Sequence, residues 1–148
     1  MPQELVVAHA TGKARSVPGD LVLGVDTTVA IDGISLAKPE GPEHAAAMLR
    51  QLSGRTHTVY SGLCLRAEGA EHVRLAATDV TFRQLDDADI DWYLAQEEWR
   101  ERAGGYAVQG RGSALVTGVQ GDYTNVVGLP VGALLDAMTS AARGAGDC

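Results

Sequence analysis

Residues 21–38 constrain this chain more than any other stretch. They open with an unbroken apolar run, Leu21-Val22-Leu23-Gly24-Val25, which reads as a strand buried on both faces. Asp26 stands where that run stops. Its carboxylate is therefore expected at the carboxyl end of a buried strand, the place where open α/β sheets bind ligands. Thr28 to Ile31 continues as extended chain, Asp32-Gly33 is a strong turn dipeptide, and Ile34 to Leu36 returns toward Lys38, held extended by Pro39. One hairpin thus carries an acid on its first arm and an ammonium beyond its second. Taken alone, the pair also fits an acid that caps a turn and a solvated lysine, so the rest of the chain has to decide.

A chain of 148 residues suits one domain with a core of its own. No apolar run approaches the roughly 18 to 20 residues that a membrane span requires. The first residues lack the charged-then-apolar order of a signal peptide, so a cytoplasmic protein without a membrane partner is expected. Cys64 falls in an expected strand and Cys148 is the last residue, a pattern that suggests neither a disulfide framework nor a thiolate metal site. Nineteen acids against twelve bases give a net charge of −7, which repels nucleic acid in the absence of a local basic patch. An acidic protein must hold a small anionic substrate with a few placed cations. Lys13 and Lys38, the only lysines, are the first candidates.

Along the chain, residues 4–17 could form a short helix, closed by Pro18-Gly19-Asp20. Gly41-Pro42-Glu43 opens a helix whose core stripe is Ala45, Met48, Leu49 and Leu52, ended by Gly54. Residues 55–65 and 73–83 read as a long antiparallel hairpin turning at Glu68-Gly69-Ala70, with Ala76, Thr78, Val80 and Phe82 on one face. Asp86 can cap a helix with Ile90, Tyr93 and Leu94 inward. Residues 99–112 are too rich in glycine for one regular element and form a plausible binding loop. A short strand at 114–119, a turn at Gly121-Asp122-Tyr123-Thr124-Asn125, a last helix from Pro130 with Leu134, Leu135 and Met138 inward, and a fraying tail from Ser140 complete the reading.

Phosphate-binding glycine loops, zinc-helix motifs, nucleophile elbows and Cys-x-x-Cys pairs are absent. His9, His44, His57 and His72 are too scattered to suggest a ligand set, and a structural role is expected for His57. Six blocks nevertheless stand out in order: Gly24-Val-Asp26-Thr27, Leu36-Ala-Lys38-Pro39, Leu52-Ser-Gly-Arg55-Thr-His57, Val80-Thr-Phe82-Arg83, Ala103-Gly-Gly-Tyr-Ala-Val-Gln109-Gly110 and Gly121-Asp-Tyr-Thr-Asn125-Val-Val-Gly-Leu-Pro130. Together they resemble the successive motifs of the Maf family of nucleoside triphosphate pyrophosphatases. His9-Ala-Thr-Gly-Lys13-Ala14 is similar to that family's Leu-Ala-x-x-Lys-Ala segment.

The resemblance implies an α/β fold with a long mixed, curved sheet flanked by helices, like that of inosine triphosphate pyrophosphatase. The Asp-Thr pair, the Ser-Gly-Arg-Thr-His block and the Gln-Gly loop are similar to the branch acting on dTTP and UTP. On that likeness Asp26 is the catalytic acid and a metal ligand, Thr27 and Gln109 help choose the base, and Lys13 and Lys38 line the cleft. A divalent cation, Mg²⁺ or Mn²⁺, and a homodimer are implied as well. Arg102 stands where the family often has lysine, which keeps the charge and changes its shape.

The residue chemistry is compatible, because splitting a triphosphate between its α and β phosphates needs cations for the developing charge and a carboxylate for the water. Gln109 offers a donor and an acceptor to the imide edge that uracil and thymine share. The family's initial strand, helix and strand, with a Ser-x-Ser-Pro-Arg-Arg-type loop, has no counterpart in this sequence. That departure raises a second expectation, a nucleotide-binding or cell-division regulatory module with impaired catalysis.

Overall fold

A computed structural model describes residues 1–146. The elements run α1 (Pro2–Arg15), β1 (Leu21–Ile31), β2 (Ile34–Leu36), α2 (Pro42–Leu52), β3 (Thr56–Ala67), β4 (Ala70–Phe82), α3 (Asp87–Leu94), β5 (Val116–Gln120), α4 (Tyr123–Val127) and α5 (Val131–Gly146). Short 3-10 turns cover Ala103–Gly105 and Arg111–Leu115. The α/β class and the open sheet flanked by helices are as expected.

The sheet has the order β2-β1-β3-β4-β5, and all of its pairings are antiparallel rather than mixed. Hairpins join β1 to β2 and β3 to β4. Strands joined by so tight a turn can pair only antiparallel.

The two faces are covered unequally. On one face Val29, Val59, Val80 and Phe82 pack with Leu49 and Leu52 of α2 and with Ile90 and Tyr93 of α3 in the main core. Further along that face, Leu63 and Leu65 meet Ala137 of α5, with Val25 and Leu134 at its margin. The opposite face carries α1, whose buried stripe Pro2, Val6, Ala10 and Ala14 recurs every four residues. That stripe is mostly small, and it lies against strand backbone: a Cβ at Gly24 would fall 2.1 Å from Ala10 O, and one at Gly62 2.4 Å from Val6 O. Glycine inside a strand here marks close helix–sheet approach.

Several local expectations change. The run 21–25 is buried on alternate residues only: Val22 and Gly24 lie under α1, whereas Leu21 and Leu23 point to the opposite face, beyond the cover of α5, and are exposed. Residues 123–127 are a helical turn rather than part of a loop, since the Asp122 carboxylate accepts the Thr124 N–H and caps it. In α5, Leu135 and Met138 face outward, and Ala137 takes the inward position because the helix lies close to the sheet. The helix also continues through Ser140 to Gly146, where a fraying tail was expected; residues 147 and 148 lie outside the described part. No helix among the described residues is long and apolar enough to cross a membrane.

Candidate active site

Asp26 does not end its strand. It lies in the middle of β1, which stays paired with β3 as far as Ala30. What frees its surroundings is the shortness of β2, which covers β1 only at Val29, Ala30 and Ile31. Beside Asp26 the β2 side of β1 is therefore an open edge.

Neighbouring residues of a strand point to opposite faces, so Asp26 and Thr27 reach the open edge from different sides. Asp26 faces α1, where Lys13 Nζ donates to its Oδ1 at 2.9 Å and to the Val25 carbonyl at 3.1 Å. His9 Nδ1 lies 3.2 Å from Asp26 Oδ2. Thr27 faces the main core, within 2.8 Å of the buried Ser61 hydroxyl directly across the strand pair, and donates to Gly128 O at 3.5 Å.

Around this edge lies a cavity of about 240 Å³ whose lining includes Lys13, Asp26, Thr27, Lys38 and Gln109. The structure thus brings all five sequence candidates to one concavity, from α1, β1, the segment after β2 and the glycine-rich loop. Lys38 is exposed and 3.7 Å from Glu101, a pair loose enough for its ammonium to leave at little cost. Gln109 is exposed on the loop between the two 3-10 turns. Arg102, Tyr106 and Gly128 are also part of the wall, with Val29 and Val59 at its apolar side.

In the sequence His9 reads as one of four scattered histidines. The signal was its spacing of four residues from Lys13, which puts both on one side of α1. His57 takes no direct part: it is buried, and its Nε2 pairs at 2.6 Å with the hydroxyl of Tyr106, which does line the cavity. Burial lowers the His57 pKa from 6.5 to about 4, so the ring is neutral near pH 7. Burial likewise pushes the Tyr106 phenol above its ordinary range.

The carboxylate suits a hard cation, yet among the described residues no three His, Cys, Asp or Glu side chains converge as a metal set. That donor set fits Mg²⁺, which keeps several waters and is held through one or two carboxylates together with substrate phosphates. A protein-only cage is not required.

Comparison with known proteins bears on this arrangement. The family model for Maf-like proteins matches residues 1–141. A protein of Anaeromyxobacter dehalogenans named dTTP/UTP pyrophosphatase is 47% identical over 134 residues, covering 88% of this chain and 69% of that protein. One of the same name from Moorella thermoacetica is 49% identical over 136 residues, covering 88% and 70% respectively. A third, from Pyrococcus furiosus, is 44% identical over 139 residues, covering 88% and 70%. By the extent of the family match and of these identities, the chain belongs to the Maf-like family.

Proposed function

We propose that this protein hydrolyses dTTP and UTP to the nucleoside monophosphate and pyrophosphate. The observation that carries the reading is the Lys13–Asp26 pair opening onto the same cavity as Lys38, Thr27 and Gln109. The names of its relatives support the choice of substrate.

In this reading Asp26 orients the attacking water and accepts its proton, a role suited to a carboxylate held in place by neighbours. An ammonium has three N–H donors. Lys13 spends two of them on Asp26 and on Val25 O, which leaves one for a phosphate oxygen beside the carboxylate. Lys38 exchanges Glu101 for the triphosphate, and Arg102 adds a second cation at the rim. The Gln109 amide pairs with the imide edge of the base, and Thr27, fixed by Ser61, bounds the pocket below it. A site built around such polar edges rejects bases that leave it unpaired. Asp26 would hold Mg²⁺ or Mn²⁺ brought with the triphosphate, and the metal would offset the charge that develops on the phosphates. A homodimer and a cytoplasmic setting belong to the same proposal.

The test is pyrophosphate release from dTTP, UTP, dCTP and ATP with added Mg²⁺, by wild type and Asp26→Asn. Release from the first two alone, lost in the variant with its melting temperature unchanged, is the expected result. Near-wild-type turnover by Asp26→Asn would remove Asp26 from the chemistry. Calorimetric binding of dTTP without release would identify a nucleotide-binding module in place of an enzyme.

A further inference from the structure

The loop that carries Gln109 is tied down by a side chain that does not line the cavity. Glu98 Oε2 accepts the Arg111 N–H at 2.9 Å, and its Oε1 accepts the Gly112 N–H at 3.2 Å. The Tyr93 hydroxyl donates to the same Oε1 at 3.2 Å and itself accepts the Ala107 N–H at 2.8 Å. Gln109 is therefore bracketed, two residues before by Tyr93 and two and three residues after by Glu98. Position 110 admits nothing larger than glycine without moving the carboxylate, because a Cβ there would lie 2.5 Å from Glu98 Oε2.

A carboxylate near a triphosphate site is unfavourable for binding the substrate, so its presence calls for another reason. Burial works to raise the Glu98 pKa, but the backbone donors of Arg111 and Gly112, together with the Tyr93 hydroxyl and the Arg111 charge, outweigh it and hold the pKa below the usual carboxylate range. Its charge is thus used up on the loop. The Gln109 side chain has no hydrogen bond to another described residue, so its aim depends on the backbone that carries it.

Resting on the reading of Gln109 as the group that pairs with the base, we propose that Glu98 is the positioning residue for base selection: its carboxylate holds residues 107–112 so that Gln109 meets the imide edge of uracil or thymine. Loosening such a loop misplaces the amide by a fraction of an ångström to an ångström, enough for a 10- to 100-fold effect where geometry matters.

The experiment measures kcat and KM for UTP and CTP, and the affinity for UMP and CMP by calorimetry, in wild type, Glu98→Ala, Glu98→Gln, Gln109→Ala and the Glu98→Ala/Gln109→Ala double variant. The expected result for Glu98→Ala is a roughly 10- to 100-fold fall in the UTP over CTP ratio of kcat/KM, through KM. In the Gln109→Ala background the same change has no further effect on the ratio, because the two residues act as one unit. Glu98→Gln, which keeps the packing but turns an NH₂ group toward an N–H donor, falls between; it carries the test if the alanine variant does not fold. An unchanged ratio in Glu98→Ala, or a further fall in the double variant, overturns the proposal. If wild type prefers UMP to CMP but releases no pyrophosphate, the enzymatic reading fails and this inference is judged on the binding ratios alone. If wild type binds both monophosphates equally, no base is being read and this inference falls.

Discussion

Gly62 stands directly across the β1–β3 pair from Asp26, on the face that α1 covers. Because position 62 has no side chain, the helix settles onto the sheet at that point, and Lys13 and His9, further along the same helix, come within reach of the carboxylate. A methyl group there would press on the backbone of Val6 and Val7, which cannot rotate away. Gly62→Ala is expected to destabilise the fold by about 1 to 3 kcal/mol, the usual range for overpacking, and to lower turnover more than Gly12→Ala, a site with open space around it. Urea melts and pyrophosphate release from UTP check both.

Lys13→Met removes the cation that touches Asp26 while keeping a long side chain. Loss of one placed donor is expected to reduce kcat about 100-fold, with little change in melting temperature because Lys13 is exposed. A rise in KM with kcat unchanged would show that Lys13 only binds the substrate and would contradict the prediction.

His57 gives the protein a pH-dependent stability. Its folded pKa, about 4, lies below the unfolded value of 6.5, so the unfolded chain binds the proton more readily in between. The stabilisation is complete above about pH 6.5 and is lost as the pH falls toward 4, on the order of 3 kcal/mol across that window. His57→Gln is expected to flatten this part of the stability profile, measured as the difference between variant and wild type in urea at pH 4.5 and 7.

Asn125 joins α4 to two strands through one amide. Its Nδ2 donates to Val59 O and Thr78 Oγ1, both at 3.0 Å, in a wholly buried place. Asn125→Leu leaves those acceptors unpaired and is expected to cost about 1 to 3 kcal/mol. Asn125→Asp costs at least as much, because an ionised carboxylate cannot donate to Val59 O. Chemical denaturation at pH 7 reads both.

Chelation is expected to stop pyrophosphate release and leave the fold intact, since no described cluster of ligands holds the elements together. Activity restored by Mg²⁺ or Mn²⁺ after EDTA, with an unchanged far-ultraviolet spectrum throughout, is the result that fits a cation arriving with the substrate.

The sequence by itself determined most of the elements and named the candidate site residues. Turn dipeptides, the alternation of the β3–β4 hairpin and the helical stripe of α2 are local patterns, so their periods could be read directly. The order of short blocks pointed to the family and to Asp26, Thr27, Lys13, Lys38 and Gln109. Only the tertiary structure decided that β1 runs past Asp26 and that β2 is too short to cover it. It alone set the small-residue seam of α1 beside Gly24 and Gly62, which brings His9 to the carboxylate. It also turned Leu135 and Met138 outward and Ala137 inward, and placed Glu98 under the Gln109 loop. These facts depend on which backbone meets which at close range, and residues such as His9 and Asp26, 17 positions apart in the chain, acquire that proximity only when α1 docks on the sheet.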